Sequence, residues 1–221
     1  MPWALPITDG RCGRYQAQRS ISPTPSYALP QKARQQMATG TPPHPPQVYL
    51  TFCSGIDQAS VGRLMLAFDV ATQRNSEKIH VLFQSAGGSV ADGICFYNFL
   101  KTFPIEVALY NVGSVQSIAA IAYLGAKERI TTANAVFTFH RTSISPQYAM
   151  AFALKNYAET VGVDDRRTEE ILRAHVKWGD EKWAHLDRAD LWVSAQEAVE
   201  FGIADKIGDF APPPGSTIWN V

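Results

Sequence analysis

The sequence predicts an α/β fold built on a parallel sheet. From Val48 onward, short runs rich in β-branched and aromatic residues alternate with stretches whose apolar residues recur every three to four positions. Strands alternating with helices pair in parallel through right-handed crossovers. The chain has 221 residues, 46% of them hydrophobic, which is enough for one sizeable core and too little to expect two.

Residues 1–47 hold nine of the fourteen prolines and show no sustained period, so they read as a disordered or loosely attached extension. They are basic, with Arg11, Arg14, Arg19, Lys32 and Arg34 against Asp9. A start at Met37 behind a mis-assigned leader, and an organellar transit peptide, are the other readings. The compact domain is expected over residues 48–209. Val48 to Cys53 is its first strand, and Val61, Leu64, Met65 and Phe68 mark a helix that covers a sheet. Ile79 to Phe83 is the second strand. Val90, Ile94 and Tyr97 follow Gly87-Gly88 as a second helix that stops before Pro104. Ile105 to Tyr110, Ser117 to Gly125 and Val136 to Phe139 then read as strand, helix and strand.

The later part is more helical. Tyr148 to about Tyr157 and Asp165 to about Trp178 form one long helix or a pair broken near Gly162. Ser194-Ala195-Gln196-Glu197 is a capping box, Gly202 the matching stop, and Ile203 to Ile207 a last short strand. Pro212-Pro213-Pro214-Gly215 is expected to end compact structure and leave residues 210–221 as a short tail.

Twenty basic and twenty acidic residues cancel, so no global charge attracts nucleic acid or an anionic membrane. The apolar stretch Val107 to Ala126 is interrupted by Asn111, Ser114, Gln116 and Ser117 and reads as strand, turn and helix instead of a membrane span. Cys12, Cys53 and Cys95 are odd in number and widely spaced, which points to free thiols in a reducing, cytosol-like compartment. His44, His80, His175 and His185 lack metal-ligand spacing and read as structural or surface residues. Trp178 and Trp183 are expected to pack a helix junction.

Ser117, His140 and Asp190 carry the chemical signal. A serine hydroxyl becomes nucleophilic when an imidazole takes its proton, and the imidazole needs a carboxylate to fix its tautomer. Ser117 opens a predicted helix, His140 ends a predicted strand, and Asp190 lies just before another helix, at the edge where α/β sheets bind ligands. Each has an ordinary structural alternative, respectively an N-cap, a hydrogen-bonded strand end and a turn residue; the combination is what points to nucleophilic catalysis. The α/β-hydrolase elbow is disfavoured, because Val115 and Ala119 stand where Gly-x-Ser-x-Gly needs glycine and the order is Ser, His, Asp. Ser85-Ala86-Gly87-Gly88-Ser89 lies between a strand and a helix and fits an oxyanion amide or a rail for an extended peptide, with Gly87 and Ser89 as substrate-binding candidates. No nucleotide motif is present.

These motifs, in this order, resemble the proteolytic subunit of the Clp protease, the ClpP family of serine peptidases, over residues 48–208. The resemblance implies a crotonase-like spiral of βαβ units with a long helix after the catalytic histidine. It implies Ser117 as nucleophile, His140 as general base and then acid, Asp190 as orienting carboxylate, and the backbone amides of Gly88 and Ile118 as the oxyanion hole. It further implies a peptide or unfolded-protein substrate, a homo-oligomer of heptameric or stacked rings, and no metal or organic cofactor. Ala86 replaces the family's usual proline, Val115-Gln116-Ser117-Ile118-Ala119 its common Ala-Ala-Ser-Met-Gly, and Arg141-Thr142 its Gln-Pro. These departures retain the reacting atoms and bear on the shape of the groove. Residues 1–47 contain no recognisable counterpart of the family's axial loops, which leaves partnership with an AAA+ unfoldase open. The motif around Trp192 also resembles ClpP-related phage head-maturation proteases, which need no such ATPase. Two rival readings are a catalytically silent ring subunit and a crotonase-type acyl-CoA enzyme; the latter gives the three residues no joint reason to be present.

Overall fold

Residues 47–145 and 150–221 are described by a computed structural model of the chain. The expectations for residues 1–46 and for Tyr148 lie outside that range. In order, the elements are β1 (Gln47–Cys53), α1 (Gln58–Gln73), β2 (Lys78–Ser85), α2 (Val90–Thr102), β3 (Glu106–Gln116), α3 (Ile118–Tyr123), β4 (Glu128–Thr131), β5 (Val136–Phe139), α4 (Ala151–His175), α5 (Asp180–Leu186), β6 (Leu191–Ser194), α6 (Ala195–Glu200), β7 (Lys206–Ile207) and β8 (Ile218–Asn220).

Two βαβ units begin the fold. β1 pairs with β2 and β2 with β3, all parallel, as the alternation of elements predicts. Successive side chains of β2 and β3 enter opposite faces: Ile79, Val81 and Phe83 of β2 and Val107 and Leu109 of β3 join the main core with α1, α2 and α3. Each such side chain contributes about 1.5–3 kcal/mol when fully buried. The opposite face carries a smaller cluster of Ala108, Tyr110 and Ile130, beside Tyr49 stacked on His80 at 4.8 Å. The helix α1 starts where the Asp57 carboxylate accepts from the Ser60 N–H and the Ser60 hydroxyl accepts from the Asp57 N–H, and it buries Val61, Leu64, Phe68 and Ala71.

β3 changes partners partway along. Ala108 to Asn111 pair with β4, whereas Ser114 to Gln116 pair with β5. Fully buried Asn111 holds the fork: its side-chain amide donates to the Val136 carbonyl at 2.9 Å and its side-chain oxygen accepts from the Gly113 N–H at 3.2 Å. The result is an eight-stranded sheet of order β6-β5-β3-β2-β1-β8, with β4 and β7 branching from β3.

Three differences from the sequence expectation, and one alternative it left open, have physical reasons. β4 was hidden because half of its residues are charged; Arg129 pairs with Asp205 and Glu128 with Lys78. The helix after β5 is continuous from Ala151 to His175, passing through Gly162. A single glycine costs a helix only about 1 kcal/mol, too little to break one of this length. Asp190 directly precedes a strand, β6, which runs antiparallel to β5; the capping box of Ser194 and Glu197 then starts α6. The tail expected at 210–221 returns to the sheet, since β8 pairs parallel with β1 and Val221 N–H donates to the Thr51 carbonyl at 2.9 Å. Pairing there satisfies edge groups of β1, and Trp219 packs on the core with the Arg74 guanidinium 4.2 Å from its ring centre.

Candidate active site

Ser117 sits between β3 and α3 with φ 55° and ψ −134°. Among the described residues, Asn75 is the other non-glycine residue with positive φ. Serine does not favour this region, and such a conformation costs on the order of 1–3 kcal/mol. It is held by the Ser117 N–H donating to the Thr138 carbonyl at 2.7 Å. The hydroxyl makes no cap hydrogen bond, so the ordinary N-cap role does not use it.

Gly87 makes room for this turn, and Gly88 makes room for the backbone of Ile56. Gly87 has φ 94°, and Gly88 crosses Ile56 as an isolated parallel bridge. In that bridge Ile56 N–H donates to the Gly87 carbonyl and Ser89 N–H to the Ile56 carbonyl, each at 2.8 Å. The flanking groups are thereby spent, while the Gly88 N–H faces the other side of the bridge. Among the described residues neither it nor the Ile118 N–H donates a hydrogen bond. Ser89, a substrate-binding candidate from sequence, also caps α2 by accepting from the Asp92 N–H at 3.4 Å. Its amide and hydroxyl, like the Gly87 carbonyl, serve the fold.

Gly88, Ser117, Ile118 and His140 line one cavity, together with Val90, Ile121, Phe139, Leu172 and Leu186. His140 ends β5 and is exposed, and its Nδ1 lies 2.7 Å from the Arg141 carbonyl. A carbonyl only accepts, so Nδ1 is the donor here; in the neutral ring that arrangement leaves the lone pair on Nε2, the tautomer a general base needs.

Asp190 reaches the same edge through strand register. Phe139 pairs with Leu191 at the end of the antiparallel ladder, so His140 and Asp190 are the next residues beyond that last pair. The two line an adjoining depression with Asp187 and Arg188. Among the described residues no hydrogen bond joins His140 to Ser117 or to Asp190; His185 Nε2 lies 3.2 Å from the Asp190 carbonyl.

The surrounding residues come from distant segments. Leu172 of α4 and Leu186 of α5 reach the cavity wall, which the sequence did not signal. Arg141 was visible as a departure from the family pattern, but its partners, Glu169 and Asp187, were not. Burial opposes ionisation of Glu169, yet hydrogen bonds and charge from Arg141 and Arg173 outweigh it and hold the carboxyl below its usual range. His80 and His175 are structural, bonded to the hydroxyls of Tyr110 at 2.8 Å and Tyr97 at 2.9 Å. Trp178 and Trp183 pack edge to face 5.1 Å apart at the junction of α4 and α5. Among the described residues there is no His/Cys/Asp/Glu group able to hold a metal, and no helix long and apolar enough to cross a membrane.

Comparison with known proteins agrees with this architecture. The sequence model of the Clp protease family matches residues 49–210. The ATP-dependent Clp protease proteolytic subunit 2 of Pseudomonas aeruginosa is 24% identical over 163 residues, 73% of this chain and 80% of that one. The protein of the same description from Corynebacterium diphtheriae is 27% identical over 138 residues, 62% of this chain and 69% of that one. A ClpP1 mutant from Listeria monocytogenes superposes with a TM-score of 0.62 at 20% identity, covering 74% of this chain and 91% of the other. With a matched region that takes in the sheet from β1 to β7, the serine turn and the segments bearing His140 and Asp190, the chain belongs to the Clp protease family and has its crotonase-like fold.

Proposed function

We propose that the chain is a serine endopeptidase that cleaves peptide bonds through an acyl-enzyme intermediate. The observation that carries this reading is the Ser117 turn: a strained, uncapped serine in one cavity with His140 and beside the unspent amides of Gly88 and Ile118. In the proposed reaction His140 Nε2 takes the Ser117 proton as Oγ attacks the peptide carbonyl carbon. The N–H groups of Gly88 and Ile118 hold the oxyanion, and His140 gives its proton to the departing amine. Water, deprotonated by the same imidazole, then releases the acyl group and restores the serine. Asp190 is the carboxylate that stabilises the imidazolium, after the His140 side chain turns from the Arg141 carbonyl towards it. No step calls on a metal or an organic cofactor.

The substrate is a peptide or unfolded protein, and the working form a homo-oligomeric ring or stacked pair of rings, heptameric as the family resemblance implies. The N-terminal part of α4 supports assembly, with Met150 82% and Phe152 75% exposed next to exposed Leu154 and Tyr157. An AAA+ unfoldase is a candidate partner for delivering protein substrates, and the compartment is cytoplasmic.

One observation favours a second reading, a catalytically silent ring subunit: His140 Nδ1 is engaged by the Arg141 carbonyl, not by Asp190. Incubating the purified protein with a fluorophosphonate probe and fluorogenic peptides separates the two. Stoichiometric labelling at Ser117 with peptide hydrolysis supports the peptidase, and absence of both supports the silent subunit. Turnover of an enoyl-CoA without labelling would support an acyl-CoA enzyme.

A further inference from the structure

Arg141 follows His140 directly, and its guanidinium lies between two carboxylates from separate elements. Its Nε donates to Asp187 Oδ1 at 2.9 Å and its Nη2 to the same oxygen, while Nη1 pairs with Glu169 Oε2 at 2.7 Å. Glu169 belongs to α4, and Asp187 closes the C-terminal end of α5. A second tether binds the same loop to α4, the Thr142 N–H donating to Asp165 Oδ1 at 2.7 Å.

The position of this ion pair in the β5–β6 ladder gives it meaning. The backbone ladder ends at Phe139 and Leu191. Past that pair the two chains carry His140 and Asp190, with no backbone bond between them to keep them side by side. The Arg141–Asp187 pair closes the mouth of this unpaired segment, one residue beyond His140 on one chain and three before Asp190 on the other. We infer that Arg141 is a positioning residue of the catalytic group: its fork on Asp187 and Glu169 clamps the splayed strand ends so that His140 and Asp190 stay within reach during proton transfer. The inference rests on the peptidase reading.

Isolated surface ion pairs contribute little to stability. This one differs in joining three elements; the Arg141 and Glu169 side chains are 28% and 26% exposed, and Asp187, at 57%, is the more exposed arm. A planar fork can satisfy both carboxylates at once, whereas an ammonium acts as a point charge. Catalysis is also more sensitive than stability to the displacement that loss of a clamp allows, since a misplacement of about 1 Å costs up to about a hundredfold in rate.

The experiment compares the full-length wild type with Arg141→Gln, Arg141→Lys, Arg141→Asp, Asp187→Arg and the swapped pair Arg141→Asp with Asp187→Arg, using fluorogenic peptides and sizing of each assembly. The expected result for Arg141→Gln is a kcat loss on the order of tenfold to a hundredfold, with KM within about twofold and the assembly unchanged. Arg141→Lys should fall between it and the wild type. The swapped pair restores only the arm to position 187, because a carboxylate at 141 meets Glu169, and should recover part of the kcat lost by Arg141→Asp. Wild-type kcat should also drop as the screening length shrinks from about 10 Å at 0.1 M salt to about 3 Å at 1 M, and Arg141→Gln should not respond. A kcat for Arg141→Gln within about twofold of wild type would overturn the clamp. A wild type that neither cleaves peptides nor reacts with a fluorophosphonate would instead overturn the peptidase reading itself.

Discussion

Gly87 lies against Ser117 so closely that a β-carbon on Gly87 would stand 2.6 Å from the Ser117 Cβ and 3.1 Å from its Oγ. The turn after β2 and the turn after β3 are therefore built to fit one another. Gly87→Ala should cost at least about a hundredfold in peptidase rate and about 1–3 kcal/mol of stability, because alanine also disfavours a φ of 94°. Peptide assays and thermal melts check this, and unchanged values of both would remove Gly87 from the site.

Ser117→Ala should abolish peptide hydrolysis, a loss on the order of 10⁴-fold or more, with secondary structure and assembly size retained. Alanine keeps the β-carbon that packs on Gly87 and removes only a hydroxyl that makes no cap bond. Wild-type turnover by this variant would show that the nucleophile lies elsewhere.

Asp190→Asn should lower kcat on the order of 10²- to 10⁴-fold, since an amide stabilises the imidazolium poorly and can hold the wrong tautomer. The Arg141 carbonyl, already bonded to His140 Nδ1, offers a fallback orienter and sets the low end of that range. Unchanged kcat with a lowered melting temperature would reassign Asp190 to the turn before β6.

Stability should decline as the pH falls below about 6.5. His80 and His175 both have lowered pKa values, His80 through burial and then the charge of Lys78, His175 through burial and then Arg129 and Lys101. Their unfolded values lie near 6.5. Between that value and the lower folded one, the unfolded chain binds more protons, so stability is fully present above the unfolded value and drains away through this window as acid is added. Melting temperatures from pH 8 to pH 5 should therefore fall for the wild type and fall less for His175→Gln. Equal slopes would exclude His175 as a source.

If the proposed assembly buries the start of α4, Met150→Glu with Phe152→Glu should shift the particle to smaller species, because charge is placed on that exposed apolar face. Light scattering reads the outcome. An unchanged particle size would mean that this face does not bury against another subunit.

Several features were legible in the chain because they are local. The alternation of strand and helix through β3, the stripe of Val61, Leu64 and Phe68, and the box of Ser194 and Glu197 depend on residues within one or two turns of each other. The glycine turn at Gly87-Gly88 was readable for the same reason, and the candidates Ser117, His140 and Asp190 came from short local motifs whose order resembles a family. Tertiary structure alone decided how these parts meet. β3 divides between β4 and β5 at Asn111, β6 runs antiparallel to β5 so that their ladder ends next to His140 and Asp190, β8 returns to the edge of β1, and Arg141 finds Glu169 and Asp187. Each of these is a contact between segments far apart in sequence. Periodicity reports which face of an element is apolar and carries no record of its partner. Register and closure come instead from the packing of the whole core and from pairing backbone groups that must not be buried unsatisfied.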